Sequence, residues 1–137
     1  MLLNNVKHKS YNFGLGDFSS TAQVNFKSGN TGASALTNFS FSDSTNDGTP
    51  SVLIKSLDSI YKDEHIPNHD SIIKIDVEGM EINVINGMKK FLSDATNIML
   101  IIEDLHTGRN AIEKALLEIG DFTVERIDDE NIAAWKN

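Results

Sequence analysis

Two short apolar segments, each closed by a carboxylate, constrain the fold of this chain more than any other feature. Residues 71–76 and 97–103 are nearly continuous apolar runs, and they end in Asp76 and Glu103. Runs of this kind are typical of parallel strands that are covered on both faces by other elements. We therefore expect two buried parallel strands in this half of the chain.

Helical patterns and a terminal hairpin complete the second half. Apolar residues recur at helical spacing over residues 81–92 and again over residues 109–119. Residues 122–127 and 132–135 have strand composition and are separated by a short polar turn, which predicts a β-hairpin. Strand, helix, strand, helix and hairpin in this order predict an α/β fold with an antiparallel edge.

The first 50 residues have a different texture, rich in Asn, Ser, Thr and Gly. Short alternating stretches such as residues 22–26 predict strands there. We expect one domain over residues 1–137, with a strand- and loop-rich region over 1–50 and an α/β core over 51–137.

Composition excludes several classes of function. The chain carries a formal net charge of −8 and clusters no basic residues, which disfavours nucleic-acid binding. It has no cysteine, so disulfides, thiolate metal sites and cysteine nucleophiles are excluded. The longest apolar run, residues 98–102, is far shorter than the roughly 20 residues of a membrane span. We expect a cytoplasmic protein.

The ends of the two predicted strands carry the candidate site. Ligands of open α/β sheets bind outside the carboxyl ends of the strands, where Asp76 and Glu103 lie. Glu78 and Glu81 add negative charge nearby, and clustered carboxylates attract cations or amines. Their oxygens would suit magnesium or calcium, but we assign no metal. Glu81 is equally explained as an acid in the first turn of a helix, and we expect that structural role for it.

The segment that follows the first strand resembles a known signature. Residues 73–81 (IKIDVEGME), together with Val84, Gly87 and Leu92, resemble the signature of FkbM-type methyltransferases. Weaker matches precede it, namely residues 56–60 (SLDSI), 12–17 (NFGLGD) and 29–36. The resemblance covers nearly the whole chain.

The resemblance implies an S-adenosylmethionine-dependent O-methyltransferase with a Rossmann-like seven-strand sheet in the order 3-2-1-4-5-7-6. The chain would supply strands 3 to 7, with the strand before Gly14 as the third, and Gly16, Asp17 and Asp76 would contact the cofactor. The implied acceptor is a small molecule or glycan, that is, a hydroxyl of a sugar, glycolipid or natural product.

The family's reaction also implies catalytic residues. Asp76, Glu78 and Glu103 would line the acceptor side. Such an enzyme needs a base for the acceptor hydroxyl, and His106, after the second strand, is either that base or a solvent-exposed loop residue.

The resemblance further implies that the first strand, the glycine-rich cofactor loop and the ribose-binding acid precede Met1. The segment Gly14–Gly16 does not replace that loop, because a strand pattern and not a helix follows it. We therefore expect this chain alone to bind S-adenosylmethionine weakly or not at all. The alternative is a non-catalytic remnant or assembly module. In either case strand 72–76 has a free edge, and we expect self-association or a completing chain.

Overall fold

A computed structural model describes residues 8–25, 35–40 and 51–137, which form two sheets and four helices. The first sheet contains β1 (Gly14–Leu15), β2 (Ser20–Asn25), β3 (Ala35–Ser40) and β4 (Ser51–Lys55). The second contains β5 (His69–Ile75), β6 (Thr96–Glu103), β7 (Thr123–Arg126) and β8 (Asn131–Lys136). The helices are α1 (Leu57–Ile60), α2 (Glu81–Asn86), α3 (Lys89–Asp94) and α4 (Arg109–Leu117).

The first sheet has the order β1-β4-β2-β3, in which β1 runs parallel to β4 and β2 is antiparallel to both of its neighbours. The alternating pattern that begins at Ala22 is part of β2, as predicted. Because β2 follows the Gly14–Gly16 segment, no helix opens there, which agrees with our rejection of that segment as a cofactor loop. The matched stretch 29–34 and residue Phe26 lie outside the described residues.

The second sheet has the order β5-β6-β8-β7 and holds the α/β core. Strands β5 and β6 are parallel, with Ile75 opposite Ile102 near their carboxyl ends. The last two strands pair antiparallel, with Val124 opposite Ala134, so the predicted hairpin is confirmed. Strand β8 also pairs antiparallel with β6, which places β6 between β5 and the hairpin.

One face of this sheet carries the hydrophobic core. Alternate residues of β6 point inward, including Leu100 and Ile102, and both are fully buried. They belong to one cluster with Ile85 of α2, Phe91 of α3 and Leu116 of α4. The helical faces and the strand alternation that the sequence shows therefore meet on the same side of the sheet.

The opposite face of the sheet is open over the described part of the chain, so the prediction of two strands buried on both faces is wrong. Ile72 of β5 is 71% exposed and Met99 beside it on β6 is 37% exposed. The reason is the handedness of the connection. The crossover from β5 through α2 and α3 to β6 places its helices on one face only.

The single helix predicted over residues 81–92 is also wrong, because α2 ends at Asn86 and α3 begins at Lys89. Met88 leaves the helical region, with φ −125° and ψ 20°. A Cβ atom built on Gly87 would lie 1.8 Å from the carbonyl oxygen of Gly16. The close neighbour of Gly87 is therefore the backbone that follows β1.

The predicted sheet order joins all strands into one sheet, whereas the described strands form two. Residues 8–13 contain no strand and β1 begins at Gly14 itself, while residues 1–7 lie outside the described residues, so the strand expected before Gly14 stays a prediction. The helix predicted over residues 109–119 ends at Leu117, and the Gly120 amide donates a hydrogen bond to the Leu116 carbonyl at 3.1 Å.

None of the helices in the described ranges has the length and apolar character that a membrane span requires.

Because Gly87 lies so close to the backbone of Gly16, substitution of Gly87 should destabilise the fold more than substitution of a glycine in open surroundings. Gly87→Ala should lower the free energy of unfolding by about 1–3 kcal/mol, because the added methyl group overlaps the Gly16 carbonyl and the backbone must shift. Urea denaturation measures this. Gly120→Ala is the matched control, since its Cβ would meet only side-chain atoms of Lys136 at 3.8 Å or more. Equal stability of the two variants would contradict the prediction.

The edge strand β5 predicts association. Its one partner among the described strands is β6, and its outward Ile72 is the most exposed of the large apolar side chains found there. We expect the mass measured by light scattering to rise above that of one chain as concentration increases. Ile72→Lys should suppress this rise, because a charge on an edge strand opposes further pairing.

Leu117→Lys is the control for that experiment, because Leu117 is 64% exposed but lies on α4, away from the edge. It should leave the concentration dependence unchanged. A monodisperse monomer at every concentration would show that the edge of β5 is satisfied within the chain.

Candidate functional site

Two loops leave the carboxyl ends of β5 and β6 side by side. The β5 loop (residues 76–80) follows Ile75, and the β6 loop (residues 104–108) follows Glu103. Because Ile75 lies opposite Ile102 in a parallel pair, the two strands end at the same edge of the sheet. This is the edge at which α/β sheets bind their ligands.

The β5 loop turns sharply through two residues with left-handed backbone. Glu78 has φ 51° and Gly79 has φ 95°, a region that costs a residue with a Cβ atom more than glycine. A Cβ atom at Gly79 would lie 3.5 Å from the Cβ atom of His106, so the turn contacts the β6 loop. The glycine therefore allows both the turn and the contact.

A histidine–carboxylate pair joins the two loops. The Nε2 atom of His106 lies 3.2 Å from Oε2 of Glu78, and the two side chains are 50% and 31% exposed. Because an ionised carboxylate only accepts hydrogen bonds, Nε2–H is the donor. In the neutral ring the proton is then on Nε2, and Nδ1 carries the free lone pair. Nδ1 makes no hydrogen bond to any described residue.

The charges of Glu78 and His106 act on the carboxyl group of Glu103. Partial burial is the main cause that raises the pKa of the Glu103 carboxyl above its ordinary value. The negative charges of Asp76, Glu78 and Glu130 raise that pKa further, while His106 opposes the change. The structure therefore brings the four predicted catalytic residues into one electrostatic group.

Asp76 stands at the outer side of this group. Its Oδ2 atom accepts a hydrogen bond from Nζ of Lys74 at 2.6 Å, and its side chain is 43% exposed. That hydrogen bond is the main cause that raises the pKa of the Lys74 ammonium. The charge of Asp76 is thus partly balanced by Lys74, near the end of β5.

Two residues that the sequence analysis did not assign to the site connect its loops. Glu81 lies in the first turn of α2, as expected, and it is also buried, with only 1% of its surface exposed. Its carboxylate accepts hydrogen bonds from the Gly79 amide (3.0 Å) and from the Thr107 hydroxyl. The available signal for Glu81 was its place in the Asp-Val-Glu-Gly-Met-Glu motif, whereas nothing in the sequence distinguished Thr107.

Two of the three residues predicted to hold the cofactor, Gly16 and Asp17, have partners on other parts of the chain. The Gly16 amide donates to the Lys55 carbonyl (3.0 Å), and its own carbonyl lies against Gly87. Oδ2 of Asp17 accepts from Nδ2 of Asn83 at 3.2 Å, on α2. The Gly16 amide and the Asp17 carboxylate thus both have hydrogen-bond partners within the chain. A three-residue grouping of His, Asp or Glu that could bind a metal is not found among the described residues.

The described residues thus form a parallel strand pair covered by helices on one face, with a histidine–carboxylate pair at its carboxyl edge. The methyltransferase FkbM domain model matches residues 2–129 of the chain. The chain therefore belongs to the FkbM methyltransferase domain family. No curated protein and no solved structure matches it significantly.

The raised pKa of Glu103 predicts a pH-dependent stability. The folded state binds the Glu103 proton more tightly than the unfolded chain, so this carboxyl stabilises the fold at low pH. The contribution is lost as pH rises from about the ordinary value of 4.5 through the higher folded-state pKa. Glu103→Gln should therefore raise the unfolding midpoint at pH 7 by a small amount, on the order of 1 °C.

That gain should disappear below about pH 4, where both side chains are neutral. Thermal unfolding followed by circular dichroism at both pH values measures the difference. Glu125→Gln, on the exposed side of β7, is the control and should show no gain at either pH. A Glu103→Gln variant less stable than the native chain at pH 7 would contradict the prediction.

Proposed function

We propose that the chain acts as an S-adenosylmethionine-dependent O-methyltransferase on a hydroxyl of a sugar, glycolipid or natural product. The observation that carries the proposal is the hydrogen bond of His106 to Glu78 at the carboxyl edge of β5 and β6. Membership of the FkbM methyltransferase family supports methyl transfer as the reaction class. The β5-β6-β8-β7 order supports the 4-5-7-6 half of the expected sheet.

The base in this proposal is Nδ1 of His106. An acceptor hydroxyl donates its proton to Nδ1, and the ring becomes an imidazolium. Glu78 accepts the Nε2–H hydrogen bond, which keeps the ring in one tautomer and stabilises its positive charge. Gly16, Asp17 and Asp76 would contact S-adenosylmethionine, which would supply the methyl group. The deprotonated acceptor oxygen would form the new bond to the methyl carbon as the carbon–sulfur bond of the sulfonium breaks, and the neutral thioether would leave.

The remaining acids orient the acceptor. Glu103 and Asp76 lie in the same electrostatic group as the base, and carboxylate oxygens accept hydrogen bonds from hydroxyls. A polyhydroxylated acceptor would present several such donors. Positioning of this kind supplies much of the rate in a displacement reaction.

Two observations favour an alternative without catalysis. The apolar face that contains Ile72 and Met99 is open over the described residues, and β5 has one strand partner there. A module that completes its sheet with another chain would show both features.

Methyl transfer from S-adenosylmethionine to a panel of saccharide and glycolipid hydroxyls tests the proposal. S-adenosylmethionine is supplied at high concentration, so that weak binding does not leave its site empty during the assay. His106→Gln should lower the transfer rate about 10²–10⁴-fold, the usual contribution of a general base. His69→Gln, an exposed histidine at the opposite end of β5, is the control and should retain the native rate.

Two results would overturn the proposal. An unchanged rate in His106→Gln would remove this residue as the base. The lack of transfer to every hydroxyl in the panel at any cofactor concentration would favour the non-catalytic module.

A further inference from the structure

The buried carboxylate of Glu81 has an unusual environment for an acid. At 1% exposure it is the least exposed charged side chain in the described part of the chain. Asp104, the other buried acid there, is neutralised by both terminal nitrogens of Arg126 at 2.7 Å. Glu81 has no Lys, Arg or His partner among the described residues, and its hydrogen bonds come from neutral donors.

Those two donors belong to the two loops of the candidate site. Oε1 of Glu81 accepts from the amide of Gly79 in the β5 loop, and Oε2 accepts from the hydroxyl of Thr107 in the β6 loop. Gly79 directly follows Glu78, and Thr107 directly follows His106. One carboxylate is therefore bonded to the immediate neighbours of both members of the histidine–carboxylate pair.

The β5 loop depends on such an anchor. Glu78 adopts a left-handed backbone conformation that is unfavourable for a residue with a Cβ atom, so the surroundings must maintain it. The hydrogen bond from the Gly79 amide satisfies a backbone donor at the centre of this turn. Without it, the turn can relax and move the Glu78 carboxylate away from the imidazole.

We propose that Glu81 is a positioning residue, whose buried carboxylate holds the β5 and β6 loops so that Glu78 stays hydrogen-bonded to His106. The effect of Glu81 on catalysis rests on the proposed function, whereas its hydrogen bonds to Gly79 and Thr107 do not. Glu81 touches neither acceptor nor cofactor in this proposal. It acts through Gly79 and Thr107.

A role confined to general fold stability makes a different prediction. A stabilising residue, when removed, lowers the protection of all core amides together. A positioning residue changes the exchange of the loop amide that it binds more than that of the sheet. The Gly79 amide and the amides of Leu100 and Ile102 in β6 distinguish the two roles.

The experiment is amide hydrogen exchange of the full chain, followed by NMR. In Glu81→Ala the Gly79 amide should exchange at least tenfold faster, while Leu100 and Ile102 change less than Gly79. Glu81→Gln should restore the native rate, because its amide oxygen accepts from Gly79 and its amide nitrogen can donate to the Thr107 hydroxyl. Glu113→Ala, which removes an acid paired with Arg109 on α4, is the control and should leave Gly79 unchanged.

Thr107→Val provides a second variant if Glu81→Ala does not fold. It removes only the hydroxyl that fixes one carboxylate oxygen, and the Gly79 amide should again exchange faster. An unchanged Gly79 rate in the folded variants, or an equal change at Gly79 and in β6, would overturn the proposal.

Methyl transfer gives an independent second readout. Glu81→Ala should lower kcat with little change in the KM of the acceptor, and Glu81→Gln should recover most of the loss. If Gly79 responds as expected but native methyl transfer is absent, the positioning contact stands and the proposed function fails. If native transfer is present but Gly79 does not respond, only the role of Glu81 fails.

Discussion

The parallel pairing of β5 with β6 is the constraint on which the rest of this structure depends. Its register sets Ile75 beside Ile102, so the two strands end together and their loops leave the sheet side by side. The helices that follow each strand return on one face and bury Ile85 and Leu116 against it. The site and the core are thus two consequences of one strand pair.

The same geometry concentrates negative charge at one edge of the sheet. Partial burial is the main cause that raises the pKa of the Glu103 carboxyl, and the charges of Asp76 and Glu78 raise that pKa further. Sites that bind ligands often keep such unfavourable charge because it serves recognition or proton transfer. In the proposed function, His106 accepts the proton of the acceptor hydroxyl.

The β6 loop is held from two directions. Glu81 bonds to it through Thr107, while Arg126 on β7 binds the buried Asp104 with two hydrogen bonds of 2.7 Å. A bidentate arginine–carboxylate contact restricts orientation as well as distance. The terminal hairpin therefore contributes to the order of the site although it supplies none of the predicted catalytic residues.

Local patterns in the sequence were sufficient for the α/β class, the hairpin, the acids at the strand ends and the family signature, because strand and helix periodicities are properties of neighbouring residues. Tertiary structure alone decided which sheet face is covered, and so left Ile72 exposed. It also broke the predicted helix at Gly87, where the backbone of Gly16 approaches, and buried Glu81 against Thr107. Each of these features joins residues far apart in the chain, and no local periodicity records such contacts.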